Sequence, residues 1–333
     1  MFHHLSTYSV GLRWYPASDA AAAGSELGRT VVVISTKGKF MKSAFANLLL
    51  LLAFCTITAP VSTSAATKKS ADLEAAIADT TRNADNATRD IYRHPYETLT
   101  FWGLKPNMTV IEIAPGGAYW TEILAPYAKA TGGHYIGQMP DETNPKIPEA
   151  ARKNITMFKA RYADEAKFGK VAWVDWQPGT GRPLGPPNSA DMVICARYMH
   201  DYMWTKGAVE NVLKDVYAVL KPGGILAIEQ HRADPRKQVQ DAHDGYINTD
   251  FMIAALTEAG FRLDAKSEVN ANPKDTKDYP LGVWTLPPTS ARTKPPYMLE
   301  WSGRPSESLL KDPAFYKAIG ESDRMTLRFR KPG

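Results

Sequence analysis

Between Val110 and Trp120 the chain reads Val-Ile-Glu-Ile-Ala-Pro-Gly-Gly-Ala-Tyr-Trp, an apolar run that carries one acid and ends in a turn of small residues. Thr121 to Ala128 follow with apolar positions at helical spacing. A strand, a tight turn and a helix N-terminus make a cradle for a carboxylate or phosphate. The small residues let backbone approach the ligand, and the helix end supplies free N–H groups and positive dipole. A second group lies further on, where Met192-Val193-Ile194-Cys195-Ala196 runs into Arg197-Tyr198-Met199-His200-Asp201. His200 can serve as a general base, with Asp201 orienting it and Arg197 anchoring an anion; the same side chains can equally hold their loop together.

Strands and helices must alternate to position these groups. Strand patterns occur at 108–114, 134–138, 171–176, 190–196, 224–230 and 262–269, with a last one at 325–330. Helical patterns occupy 118–129, 147–167, 206–220 and 248–260, after a helical lead-in over 70–95 capped by Ser70 or Asp72. The alternation implies an α/β fold: a Rossmann-like, mostly parallel sheet with helices on both faces. The last strand follows a long Pro-rich loop, 286–320, instead of a helix and is expected to enter antiparallel. Ligands in such sheets bind at the carboxyl ends of strands, where strand order reverses. That places 112–120, 137–141, 175–178 and 196–204 at the site. Lys221-Pro222-Gly223-Gly224 stops a helix and turns the chain into a strand, with no chemistry assigned.

The chain has 333 residues, 44% of them hydrophobic, and a formal net charge of +5. Residues 1–66 stand apart. Met41-Lys42, the apolar core Leu48–Cys55 and the small-residue stretch Val61–Ala66 describe a secretory signal over 41–66, and 1–40 reads as a spurious upstream extension. A single α/β domain, 67–333, would follow, periplasmic or secreted, or membrane-anchored if the signal stays uncleaved. Without 1–66 the balance is 35 Lys/Arg against 33 acids, +2, which removes any charge argument for nucleic acid. Cys195 is then the single cysteine; it excludes an intramolecular disulfide and a Cys-based zinc site and reads as a buried, inert thiol. His231, His243, Asp241, Asp244 and Tyr246 form a second polar cluster without tight ligand spacing, so no metal is expected.

Four segments in order carry a family resemblance: Glu112 to Trp120, Ala190 to Tyr202, Leu220 to Ile228, and Asp323 to Pro332. Across about residues 75–332 the chain resembles a class I S-adenosylmethionine-dependent methyltransferase, and more closely a little-characterised bacterial group of predicted exported methyltransferases. The resemblance implies S-adenosylmethionine as cofactor and a small-molecule acceptor. It departs from the family where Gly-x-Gly-x-Gly is usual, because Ala114 and Ala118 take the outer positions.

The implied cofactor site comprises Glu112, Ala114, Pro115, Gly116, Gly117, Tyr119, Gln138, Asp175 and Trp176. The helix N-terminus at Gly117–Tyr119 suits the methionyl carboxylate and Glu112 the amine, unless Glu112 is simply a strand-end acid satisfied by backbone. Tyr119, Trp120 and Tyr198 can face the sulfonium by cation–π attraction, or simply pack. Gln138 or Asp141 can take a ribose hydroxyl, Trp176 can offer an adenine slot, and Asp175 an edge acceptor. Two other readings stand beside this one. A non-catalytic exported binding protein would keep the fold without the chemistry. A nicotinamide-dependent oxidoreductase would want Gly-x-Gly-x-x-Gly, which this turn lacks.

Overall fold

The computed structural model describes residues 70–145, 147–239, 241–293 and 306–333. The segments expected to be a secretory signal and an upstream extension, and the middle of the Pro-rich loop, lie outside the described residues. Among those described, no helix is long and apolar enough to cross a membrane.

Seven strands form one sheet: β1 (Thr109–Ile113), β2 (His134–Met139), β3 (Ala172–Asp175), β4 (Ala190–Ala196), β5 (Leu220–His231), β6 (Arg262–Ser267) and β7 (Arg324–Arg330). Their spatial order is β3-β2-β1-β4-β5-β7-β6. The β3, β2, β1, β4 and β5 pairings are parallel, and β7 lies antiparallel between β5 and β6. This is the Rossmann-like arrangement expected, with the last strand reversed. The chain leaves β1 toward β2 on one side and later returns to β4 on the other, so strand order reverses at β1.

The central strands β1, β4 and β5 form because their Val, Ile, Leu and Met side chains are buried on both faces, as parallel strands require. Two apolar clusters result, one on each side of the sheet. The first centres on Ile111, Val193, Leu226 and Phe329, the second on Val110, Met192, Ile225 and Trp120. Gly137 in β2 is required by contact: a Cβ there would lie 2.3 Å from the Trp173 ring.

The helices are α1 (Ala71–Ala78), α2 (Ala84–Ala87), α3 (Asp90–Arg93), α4 (Pro95–Trp102), α5 (Thr121–Thr131), α6 (Glu149–Arg161), α7 (Glu165–Phe168), α8 (Met199–Met203), α9 (Ala208–Val219), α10 (Thr249–Glu258) and α11 (Pro313–Ile319). Ser70 caps α1, accepting from the Leu73 amide. The single lead-in over 70–95 is instead α1 to α3, broken where Asn83 caps α2 and where His94 turns left-handed at φ 40°. The helix expected over 147–167 likewise splits, because Asp164 caps α7 through the Ala166 amide. The part of the Pro-rich stretch that is described is not all loop, since it includes α11 with Pro313 in its first turn.

Candidate functional site

The β1 turn follows the strand with Ala114, Gly116 and Ala118 all left-handed, at φ 48°, 57° and 63°. Glycine reaches that region freely, whereas an alanine there costs about 1–2 kcal/mol. The turn thus keeps a glycine-like shape with two alanines in it. Surrounding bonds hold it: the Ala114 amide donates to Gln138 Oε1 at 3.0 Å, and the Ala118 amide to the Pro115 carbonyl at 2.9 Å. Gly116 and Gly117 are exposed at the tip, and a Cβ on Gly117 would meet nothing within 4 Å. Their amides donate to no protein acceptor among the described residues.

Beneath the turn Glu112 is buried, and its Oε2 accepts from Thr121 at 2.9 Å and Tyr135 at 2.5 Å. Burial pushes its carboxyl up to about 7, against the two hydroxyl donors and the charge of Arg197.

Arg197 begins the turn after β4 in a left-handed conformation, φ 58°, with its guanidinium 3.3 Å from Glu229. His200 sits in α8, 4% exposed, between the Trp204 and Trp284 rings. Gln230 Nε2 donates to the Gly245 carbonyl at 3.1 Å and approaches His200 Nδ1 at 3.0 Å. The carbonyl fixes which end of the amide is nitrogen, so Nδ1 accepts and the ring proton rests on Nε2, 3.2 Å from Asp201. The structure therefore brings His200, Asp201 and Arg197 to one strand end, but the base geometry expected for His200 is not what it builds. The lone pair points at Gln230 inside the protein.

Other expected residues also have different duties. Gln138 is 1% exposed and staples three strand ends, accepting from Ala114 and donating to the Trp176 carbonyl at 2.8 Å. Trp176 is fully enclosed in the core, its Nε1 donating to Asp215 at 3.0 Å, so it presents no open face for an adenine. The Tyr119 hydroxyl donates to Asp90 at 2.7 Å, and the Arg93 guanidinium lies 4.4 Å from its ring centre. Trp120 packs against Trp102. Of the three aromatics expected to face the sulfonium, Tyr198, half-buried and beside Arg197, keeps accessible surface. Asp175 pairs with Lys159 at 2.9 Å.

Asp141 and Gln177 lie at the strand ends expected to bind ligand, and two features there carry no local sequence signal of their own. A cavity of about 140 Å³ opens at the ends of β2 and β3, lined by Asp141, Asn144, Gln177, Thr180 and Arg182, with Arg182 paired to Asp141 at 3.0 Å. Beside the β1 turn lies a set of arginines and acids drawn from the segments on either side of α2, from α3, from the turn after β4, from β5 and from the entry and start of β7. The polar cluster after β5 disperses into separate pairs: His231 with Ser322, His243 with Asp241, and Tyr246 with Asp275. No group of three or more metal-ligating side chains gathers among the described residues. Cys195 is buried in β4, and burial pushes its thiol up to about 12.

No protein-family model matches the chain, and no curated protein matches it. Solved structures of similar fold include an S-adenosylmethionine-dependent methyltransferase from Aquifex aeolicus, at 20% identity over 56% of this chain and 89% of that one, TM-score 0.42. Another is an arsenic(III) S-adenosylmethionine methyltransferase from Chlamydomonas reinhardtii, at 15% identity over 79% and 73%, TM-score 0.42. A third is a cyclase, at 13% identity over 74% and 80%, TM-score 0.43.

Proposed function

We propose that the chain binds S-adenosylmethionine where strand order reverses and moves its methyl group to a small-molecule acceptor. The observation that carries this is the β1 turn, with three left-handed residues, two exposed glycines and a buried acid, placed at the switch point between β1 and β4.

The residues fit the amino-acid end of that cofactor. Gly116 and Gly117 offer amides to its carboxylate, Glu112 suits its ammonium, and Tyr198 is the accessible aromatic for its sulfonium. At the nucleoside end, Gln138 and Trp176 are already committed. Asp141 in the β2–β3 cavity takes their place as the candidate for the ribose hydroxyls. That cavity is smaller than the ~300 Å³ at which ligand pockets begin, so it receives part of the ligand and not the whole. When bound, the cofactor supplies an electrophilic methyl group. The protein's own task is to align an acceptor at the ends of β4 and β5 and keep water out. His200 positions the 197–201 turn through Gln230 and Asp201.

Because the lone pair of His200 is turned inward, a second reading keeps support: a binding protein that holds the ligand without turning it over. We also infer that residues 41–66 direct export, which N-terminal sequencing of the protein recovered from the periplasm tests.

Calorimetric titration with S-adenosylhomocysteine tests the main reading. Micromolar binding that weakens on Gly117→Val supports it; no binding to the wild-type chain sinks it. Binding without detectable turnover on any acceptor selects the second reading.

A further inference from the structure

The β1 turn is gripped from outside its own segment. The peptide between Gly117 and Ala118 is held at both ends: its N–H donates to the Pro115 carbonyl at 2.9 Å, and its C=O accepts from Asn86 Nδ2 at 3.0 Å. Asn86 lies in α2, 31 residues upstream, and is buried. Its Nδ2 also donates to Glu122 Oε2 at 3.1 Å. The neighbours fix which end of this amide is nitrogen. A peptide carbonyl only accepts, and the Arg89 guanidinium, 3.4 Å from Asn86 Oδ1, only donates. Both N–H bonds of Asn86 are therefore spent, one on the turn and one on α5.

Glu122 sits buried in the first turn of α5 and has two further donors, the Asn83 amide at 3.1 Å and the Tyr162 hydroxyl at 3.2 Å. Of these three donors, Asn86 is the one that also bonds the turn. The turn has reason to need it. Ala118 is left-handed at φ 63°, a conformation that side chains disfavour. Rotating the 117–118 peptide would release Ala118 from that strain, and Gly117 on its other side has no Cβ to resist. Two opposed hydrogen bonds prevent the rotation. On the other flank the Ala114 amide is held by Gln138 at 3.0 Å. Between these two fixed peptides lie the amides of Gly116 and Gly117.

Resting on the function proposed above, we infer that Asn86 is a positioning residue for the cofactor. By fixing the Gly117–Ala118 peptide it aims the Gly116 and Gly117 amides at the ligand carboxylate before the ligand arrives. Donors already in place lose little freedom on binding, so the arrangement registers as affinity.

The test is calorimetric titration of S-adenosylhomocysteine into the full wild-type chain and two variants. Asn86→Ala removes one donor from Glu122 together with the bond to the turn. Tyr162→Phe removes one donor from Glu122 and leaves the turn untouched. Both should lower the thermal midpoint, but Asn86→Ala should weaken binding about fivefold or more, and Tyr162→Phe should stay within about twofold of wild type. A smaller loss in Asn86→Ala, or a matching loss in Tyr162→Phe, overturns the inference, because Asn86 is then only a tie between helices. Amide hydrogen exchange in the wild-type chain gives a reading that no folding failure can remove. The Ala118 amide should be protected without ligand; protection that appears only when S-adenosylhomocysteine is added overturns the inference as well. A wild-type chain that binds no S-adenosylhomocysteine removes the cofactor reading and this role with it, whereas binding without the contrast between variants removes this role alone.

Discussion

The Tyr135 hydroxyl donates to the Glu112 carboxylate at 2.5 Å, tying β2 to β1 directly beneath the left-handed turn. Thr121, the first residue of α5, donates to the same oxygen at 2.9 Å, so one buried acid joins two strands and a helix. Burial still outweighs both donors, and the folded-state pKa is about 7.

This raised value has a definite sign. The folded protein keeps a proton that the unfolded chain releases from about pH 4.5 upward. The stability it contributes is fully present below about 4.5 and is lost as pH rises through about 7, a total of about 3 kcal/mol. Glu112→Gln, which keeps an acceptor for both hydroxyls, should flatten that decline. Urea midpoints measured at pH 5 and pH 8 check it, and parallel behaviour of variant and wild type refutes it.

A ligand ammonium beside Glu112 favours the ionised carboxylate. S-adenosylhomocysteine should therefore bind with release of a proton near neutrality, and its affinity should rise between pH 6 and pH 8. Calorimetry in buffers of different ionisation enthalpy reads the proton directly. Affinity that is flat over this range would place the ammonium elsewhere.

Removing a working general base costs about 100- to 10,000-fold in rate. With its lone pair held by Gln230, His200 should not show that loss. His200→Ala is expected to lower stability by about 1–3 kcal/mol, because it leaves one N–H of the buried Gln230 amide without its partner. Turnover per folded molecule should fall less than tenfold, and the pH–rate profile should keep its shape. A loss of two orders of magnitude, with the acid limb gone, would restore the base assignment.

The frame was legible where local pattern decides. The apolar run at 190–196 is β4 to the residue, and Ser70 caps the first helix as its type suggested. The reversed last strand also followed from chain order. Side-chain duties were less legible, because a polar group at a strand end looks alike whether ligand or protein satisfies it. Gln138 spends its amide on Ala114 and Trp176, and Trp176 turns inward to Asp215; neither direction is written in a single sequence. The arginine set was invisible for another reason. Arg89 and Glu321 meet across 232 residues of chain, and no periodicity reports on contacts that distant.

Ala114 and Ala118 offer a matched comparison. Replacing either with glycine relieves about 1–2 kcal/mol of left-handed strain and costs about 0.4–1 kcal/mol of extra freedom in the unfolded chain. Ala118 is fully buried in the core, so its glycine variant also forfeits a methyl worth about 0.8 kcal/mol, whereas Ala114 is only partly buried. Ala114→Gly should therefore be neutral or stabilising, and Ala118→Gly less stable than it by roughly 0.8 kcal/mol. Chemical denaturation of the pair decides, and a reversed order would mean that the turn is not left-handed at these positions.

Glu321 gathers Arg89, Arg93 and Arg324, and so joins the N-terminal helices to the entry of β7. Although burial opposes ionisation, the surrounding guanidinia win and hold its pKa below 4.5. A depressed carboxylate contributes stability above the unfolded value that disappears as pH falls through the folded one. Glu321→Gln leaves three guanidinia around a neutral amide and should cost about 3–5 kcal/mol at pH 7. Most of that difference should vanish in strong acid, where the wild-type carboxylate is protonated too. Thermal melts in a series of falling pH from 7 into strong acid measure both halves. A variant as stable as wild type at pH 7 would show that the arginines do not depend on this acid, and that α3 is held to β7 by packing alone.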